Sequence, residues 1–152
     1  MQPRLNYLQI APETVKLATA LETHLAKSGL ELSLYHLVKT RASQINGCAY
    51  CIHMHSRDAR AHGETEERLY LLDAWRESPL YSERERAALA WTESLTRIGE
   101  THAPDDVYEE VRKHFSEAET VNLTMLIGMI NLWNRLAISM RSVHPVSKPK
   151  AA

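Results

Sequence analysis

The alternation of apolar and polar residues along the chain predicts a protein built from helices. Apolar positions recur every three to four residues through most of the sequence, which is the period of a helix with one buried face. No stretch of useful length alternates residue by residue as a half-buried strand does. The few glycines and prolines fall between the periodic segments, as turn residues should. We therefore expect an all-α fold, a compact bundle of six or seven helices.

Capping and breaking residues set the expected ends of these helices. Ser82 with Glu85, and Ser116 with Glu119, have the spacing of a capping box at a helix start. Gly47 suits the left-handed position that closes a helix. The predicted helices cover residues 12–26, 30–47, 48–63, 64–76, 82–98, 104–115 and 116–141. Residues 1–141 then form a single domain of ordinary size, and residues 142–152, which lack periodicity, form a flexible tail.

Composition and charge exclude some classes of partner. The formal net charge is −1, with basic and acidic residues interspersed, so no strong positive field attracts nucleic acid or an anionic membrane. The most apolar stretch, residues 121–140, carries three asparagines and an arginine, which favours a buried helix over a membrane span. The first residues lack the basic and apolar regions of a signal peptide. We expect a cytoplasmic protein that binds neither nucleic acid nor membrane.

The chain has only two cysteines, Cys48 and Cys51, and both fall at the start of a predicted helix. At about 100° per residue, Cys51 lies about 60° from Cys48, and His55 lies between them on the same face. His53 falls on the opposite side. In a reducing compartment, such a pair is more often catalytic or metal-binding than structural. The arrangement therefore predicts thiol redox chemistry at Cys48 and Cys51, with His55 beside them.

The position of this pair suits thiolate chemistry. A helix N-terminus favours the thiolate over the thiol, and a histidine one turn further on can take the proton. We assign Cys51 as the nucleophile because His55 is in reach. Cys48, nearer the helix end and expected to be the more exposed, is the resolving thiol. Two alternatives stay open: Cys48, Cys51 and His55 as part of a zinc site, or two small buried residues beside a surface histidine.

The cysteine segment resembles the alkyl hydroperoxidase D-like branch of the carboxymuconolactone decarboxylase superfamily. The residues that carry the resemblance are Ser43-Gln44-Ile45-Asn46-Gly47-Cys48-Ala49-Tyr50-Cys51 with His55, then Ala90-Trp91-Thr92-Glu93, then Asn122-Leu123-Thr124 and 130–137. The resemblance covers roughly residues 30–141. It implies an all-α fold, assembly into homo-oligomers (trimers or hexamers), and a peroxidase without a bound cofactor. The decarboxylase half of the superfamily lacks the cysteine pair, so decarboxylation of a muconolactone fits poorly.

The resemblance also orders the site residues. It implies that the second cysteine, Cys51, reacts with the hydroperoxide and that Cys48 resolves it. It places the histidine matching His55 in a proton relay that a glutamate on the preceding helix completes. Here His36 stands where that glutamate would be. His36 either passes the proton itself or is a histidine without a role, and it lies away from the main apolar stripe of its helix. Tyr50 replaces a family histidine between the cysteines and does not shuttle protons near neutral pH.

Other polar residues in apolar surroundings are interpreted as structural. Glu93 interrupts an apolar stretch, so it needs a buried partner. Three polar residues in the last helix are expected to bond across helices or subunits, and three aromatic residues are expected in the core or an interface. The three polar residues are Asn131, Asn134 and Arg135, and the three aromatic residues are Trp75, Tyr81 and Trp91. The charged clusters at 64–68 and 83–86 are expected to be solvated helix faces.

The function predicted from these patterns is a thiol-dependent peroxidase. Hydroperoxide oxidises Cys51, Cys48 closes the disulfide, and an external dithiol, either a reductant protein or a lipoyl-type carrier, reopens it. The redox-active disulfide makes a bound cofactor unnecessary. The alternatives are a disulfide reductase or a non-enzymatic redox sensor that uses the same pair, and a zinc-binding structural module.

Overall fold

The computed structural model describes residues 2–146, and within them every regular element is helical. The helices are α1 (Tyr7–Ile10), α2 (Pro12–Leu25), α3 (Leu32–Asn46), α4 (Ala49–Ala61), α5 (Glu66–Tyr70), α6 (Glu83–Thr96), α7 (Ile98–Thr101), α8 (Asp105–His114) and α9 (Glu117–Ser139), with a 3₁₀ turn at Leu72–Ala74. Six of them, α2, α3, α4, α6, α8 and α9, have ten residues or more. The prediction of an all-α fold is confirmed.

The predicted capping residues lie at the starts and ends of the helices, as expected from the sequence. Both capping boxes form: the Ser82 hydroxyl accepts from the Glu85 amide while the Glu85 carboxylate accepts from the Ser82 amide, and Ser116 and Glu119 do the same. Gly47 closes α3 with φ +69°, a left-handed conformation that glycine adopts without steric cost. The chain turns there and α4 begins at once, so α3 and α4 pack together more extensively than any other pair.

The prediction of one helix over residues 64–76 was wrong. Helix α5 ends at Tyr70, and a 3₁₀ turn follows. This bend places Leu72 and Trp75 in a buried cluster with Leu37 and Leu89. Arg86 donates to the carbonyl oxygens of Trp75 and Ser78, at 2.9 and 3.2 Å. Burial of Leu72 and Trp75 and these hydrogen bonds from Arg86 of α6 therefore outweigh the local helix pattern.

The hydrophobic core lies mainly between α3, α6, α8 and α9. Its buried members include Leu34, Val38, Trp91, Val111, Phe115, Leu123, Leu126 and Ile127. The expected core positions of Trp75, Tyr81 and Trp91 are confirmed, with 4%, 4% and 6% of their surfaces exposed. This core fixes α3 and α9, the two helices on which α4 rests.

The charged clusters are not simple solvated faces. The guanidinium of Arg68 bonds Glu64, at 2.8 Å, and Glu85 of α6, at 2.5 Å, while stacking over the ring of Tyr81. The side chain of Glu64 is only 7% exposed. The expectation of solvated faces was therefore wrong for Arg68 and its partners, because the bend after α5 folds this segment back onto α6.

The end of the described chain lies over α4. Residues 142–146 have no regular secondary structure, the Ser142 amide donates to the Ala137 carbonyl at 2.8 Å, and the ring of His144 stacks on that of His53 at 4.6 Å. The predicted tail of 142–152 lies partly outside the described residues, which end at 146. No helix within residues 2–146 is long and apolar enough to cross a membrane.

Candidate active site

The two cysteines lie at the first turn of α4 and form a disulfide. Cys48 is the N-cap, and its sulfur accepts a hydrogen bond from the Cys51 amide at 3.3 Å. The Cα atoms of the pair are 5.3 Å apart, within the usual range for a disulfide. The sharp turn at Gly47 and the helix start therefore bring the sulfurs together with little help from distant parts of the chain.

Both cysteines are buried, which corrects the expectation that Cys48 would be exposed. Cys48 is 1% exposed and Cys51 is 2% exposed. They pack against Ala137 of α9 and the half-buried ring of Tyr50. The reason is that the C-terminal end of α9 and the chain after it cover the start of α4, which the spacing along α4 alone does not reveal.

A small cavity reaches the pair from the side of Cys48. It has a volume of about 160 Å³ and is lined by Gly47, Cys48, Ala49, Tyr50, Ala137, Ile138, Arg141 and Ser142. Cys51 is not among its lining residues. A reagent that enters this cavity therefore meets Cys48 first.

His55 lies one turn after Cys51, on the buried face of α4. Its ring is 4% exposed, and neither nitrogen has a hydrogen-bond partner among the described residues. Burial, with the charges of Lys39 and His36, lowers the pKa of His55 to about 3. The imidazole is therefore neutral at physiological pH, and a lasting positive charge on it is disfavoured. His53, as predicted from the helix period, lies on the other side and stacks on His144.

His36 is buried against α4. It is 6% exposed, and like His55 it has two nitrogens without partners among the described residues. Its ring meets that of Tyr35 edge-on at 5.4 Å and stacks on His62 at 5.1 Å. Burial, followed by the nearby His62, lowers the pKa of His36. The side of α3 that faces away from its apolar stripe thus packs on α4.

A buried cation beside these histidines was not found from the sequence. Lys39 is 4% exposed and pairs with the carboxylate of Glu22 on α2. The same carboxylate accepts from the Tyr35 hydroxyl and, at 2.8 Å, from the Trp133 indole. The signal in the sequence was weak, because a lysine three residues from His36 is usually solvated. Only the packing of α2 and α9 around α3 buries it.

An asparagine network ties the end of α3 to α9. The Asn46 amide donates to the side-chain oxygens of Asn131 and Asn134, at 3.0 and 2.8 Å, and the Asn134 amide donates to Ser43 at 3.0 Å. Arg135 donates to the Asn131 carbonyl at 2.9 Å. The expectation that the polar residues of α9 bond across helices is confirmed for Asn131 and Asn134, whereas the bonds of Arg135 among the described residues stay within α9. The network holds the chain immediately before Cys48.

Removing Asn46 tests this network. We expect Asn46→Ala to lower the free energy of unfolding by about 1–3 kcal/mol, because the buried oxygen of Asn134 loses a donor. Denaturant unfolding of the oxidised protein measures the change. Asn122→Ala is the matched control, since its side chain makes one long bond of 3.4 Å to Ser28. An Asn46→Ala loss no greater than that of the control contradicts the structural role.

Glu93 has the buried partners that its position in the sequence required. Its carboxylate accepts from Arg41 at 2.8 Å, from the Trp75 indole at 2.9 Å and from Arg76. Burial alone raises the pKa of Glu93, but the bonds from Trp75 and Arg76 and the charge of Arg41 lower it overall. Glu93 thus joins α3, α6 and the segment after α5.

Among residues 2–146, no three His, Cys, Asp or Glu side chains are placed to hold a metal ion together. Cys48, Cys51 and His55 do not form such a group either, and the sulfurs of Cys48 and Cys51 are bonded to each other. The geometry is that of a buried disulfide with two buried histidines behind it.

The fold and the CxxC pair define the class of this protein. The model of the carboxymuconolactone decarboxylase family matches residues 12–94, and the chain belongs to that family. Within it, the chain is an alkyl hydroperoxidase D-like protein. It is 49% identical to a protein of unknown function from Agrobacterium tumefaciens, described as a candidate antioxidant defence protein AhpD, with a TM-score of 0.93 over 96% of this chain and 100% of that one.

Two further comparisons cover most of the chain. The uncharacterized protein YdfG of Bacillus subtilis (strain 168) is 44% identical over 140 residues, which are 92% of this chain and 95% of that protein. An uncharacterized peroxidase-related protein from Ralstonia eutropha JMP134 with an AhpD core shares the fold, with a TM-score of 0.80 at 18% identity over 91% of this chain and 74% of that one. The chain therefore has relatives that match nearly its full length.

Proposed function

We propose that this protein is a thiol-dependent peroxidase that reduces hydroperoxides at Cys51. The observation that supports this most is a buried disulfide at the start of α4 with a neutral histidine one turn further on, whose ring nitrogens have no partner within residues 2–146. A neutral imidazole at this place can pass on the proton of the Cys51 thiol without keeping it, and the thiolate is the nucleophile. The relationship to AhpD-like and peroxidase-related proteins agrees with this chemistry.

The proposed cycle balances without a cofactor. The Cys51 thiolate attacks the terminal oxygen of the hydroperoxide, the O–O bond breaks, and the alkoxide leaves as an alcohol with the proton that His55 took. Cys51 is then a sulfenic acid, and the Cys48 thiol condenses with it to form the disulfide and water. A dithiol supplies the two electrons and two protons that restore both thiols.

We assign the reaction with the dithiol to Cys48. Cys48 lines the cavity that reaches the pair, and its sulfur accepts a hydrogen bond from the Cys51 amide at the helix start. A thiolate of the dithiol attacks the sulfur of Cys48, and Cys51 leaves as the thiolate. The second thiol of the reductant then displaces Cys48. The cavity of about 160 Å³ is smaller than the usual pocket of a drug-sized ligand, so it suits the end of a slender carrier arm or of a protein loop.

The disulfide reductase and redox sensor alternatives use the same sulfurs, and turnover separates them from the peroxidase. Assembly into a trimer or hexamer and a cytoplasmic location also remain proposals. Exposed apolar side chains on the outer faces of α1, α2 and α9 support assembly. They include Leu8, Ile10, Leu17, Val121 and Leu132, which are 41–74% exposed.

The test is a count of free thiols during hydroperoxide treatment. We expect the reduced protein to lose two thiols per chain at stoichiometric hydroperoxide, and to continue to consume hydroperoxide when a dithiol is supplied. Cys51→Ser should abolish both effects, while Met54→Leu, on the exposed face of α4, should not. Thiols that survive millimolar hydroperoxide would rule out the peroxidase and the sensor, and thiol loss without turnover would reject the peroxidase and leave the disulfide reductase and the sensor.

A further inference from the structure

The face of α4 that carries Cys51 continues to the far end of the helix. His55 lies four residues after Cys51 and His62 eleven residues after it, so that at about 100° per residue all three fall within about 40° of one another. Ala59, between the two histidines on this face, is buried. His62 is the C-cap of α4 and is exposed to solvent. The stripe therefore runs about 16 Å, from the disulfide to the surface.

His36 of α3 lies against this stripe and joins its two parts. Its ring stacks on His62 at 5.1 Å with an angle of 26° between the planes. Its charge is also one of the causes that lower the pKa of His55, and both rings are buried. Between them, His36 and His55 have four buried ring nitrogens without partners among the described residues. Buried nitrogens normally have partners, so this cluster needs an explanation.

An imidazole with both nitrogens free is suited to conduct protons. It can accept a proton at one nitrogen and release one from the other without carrying a lasting charge. A single water between two such rings can hydrogen-bond to one nitrogen of each. Lowered pKa values for His36 and His55 keep both rings neutral, which is the state that such transfer requires.

We propose that His62 is the solvent end of a proton path that runs from Cys51 through His55 and His36 to the surface at the end of α4. The proposal rests on the assignment of Cys51 and Cys48 as the redox pair. When a dithiol attacks Cys48, the buried Cys51 thiolate needs a proton, and solvent supplies it through His62. When Cys51 attacks a hydroperoxide, the same path can carry protons between Cys51 and solvent.

Charged and aromatic groups surround the histidines of the path. Lys39, held by Glu22, lies on the α3 side, and its positive charge disfavours a lasting charge on His36 and His55. Asp58 of α4 has the opposite effect on the pKa of His36, and its carbonyl oxygen lies 2.7 Å from Nδ1 of His62. Tyr35 closes the other side of His36. His62 is the member of the path that solvent reaches.

The test uses reduction of the disulfide by dithiothreitol, which does not depend on hydroperoxide turnover. We compare His62→Ala and His62→Phe, because phenylalanine keeps a ring over His36 but carries no proton. Both variants should slow disulfide reduction by about tenfold at neutral pH, a modest share of what proton transfer contributes to catalysis. Added imidazole should restore the rate in His62→Ala, and thermal melting should show that both variants are folded.

His53→Phe is the matched control, since His53 lies on the same helix, also stacks on a histidine, and faces away from the disulfide. We expect it to keep the wild-type rate. Wild-type rates in His62→Phe would overturn the proposal, because packing alone would then explain the stack. Equal slowing by His53→Phe, or no rescue by imidazole, would also overturn it. Failure of hydroperoxide turnover with the expected dithiothreitol rates would reject the peroxidase and leave the proton path standing.

Discussion

Cys48→Ser should leave a protein that reacts once with a hydroperoxide and then stops. Without the resolving thiol, Cys51 remains as a sulfenic acid, because no second cysteine exists in the chain. We expect turnover with a dithiol to fall by about 10³-fold or more, as when one member of a catalytic unit is removed. Mass spectrometry should find one added oxygen on Cys51, and a sulfenic-acid trapping reagent should label the same residue.

The reciprocal variant separates the roles of the two sulfurs. In Cys51→Ser, the remaining Cys48 thiol should resist stoichiometric hydroperoxide but form a mixed disulfide with a small oxidised thiol reagent. The reason is that Cys48 lines the cavity and lies at the helix start, while His55 is one turn from Cys51. Oxygen added to Cys48 at the rate seen for Cys51 would show that the assignment of nucleophile and resolving thiol is reversed.

Loss of the Glu93 carboxylate should give the largest loss of stability. Glu93→Ala leaves the guanidinium of Arg41, itself 6% exposed, without its main buried partner. Removing one member of a buried ion pair typically costs about 3–5 kcal/mol. Urea unfolding at pH 7 measures this, and Glu67→Ala on the exposed surface of α5 is the control, with a change expected within about 0.5 kcal/mol. A Glu93→Ala loss below about 1 kcal/mol would mean that Arg41 finds other partners.

The pH dependence of this stabilisation has a definite sign. The pKa of Glu93 is lower in the folded protein than in the unfolded chain. Its contribution is therefore fully present above the unfolded value, about 4.3, and is lost as pH falls through the folded value. The difference in stability between wild type and Glu93→Gln should shrink over that acidic range. A difference that is constant with pH would exclude the ionised carboxylate as its source.

The cysteine turn could be predicted from the sequence because its determinants are local. Gly47 ends one helix, Cys48 caps the next, and the helix period puts Cys51 and His55 on one face while sending His53 to the other. Both capping boxes formed for the same reason, since each bonds groups only three residues apart. The same period extends to His62, which falls on the face of α4 that carries Cys51 and His55.

Burial and the contacts between helices could not be predicted in this way. The spacing on α4 does not show that the end of α9 covers Cys48, nor that Arg86 and the core bend the chain after Tyr70. The environment of Lys39 depends on Glu22, seventeen residues earlier, and on Trp133, much later in the chain. These contacts join residues whose separation leaves no periodic signal.

The sequence by itself thus determined the helical class, the ends of the main helices and the pairing of Cys48 with Cys51 and His55, because bonds within a few residues decide them. Only the tertiary structure decided that both sulfurs are buried, that the cavity opens on Cys48, and that His36 and His62 stack behind the site. Those features arise where α3, α4 and α9 pack against one another, and packing between distant segments depends on the whole core.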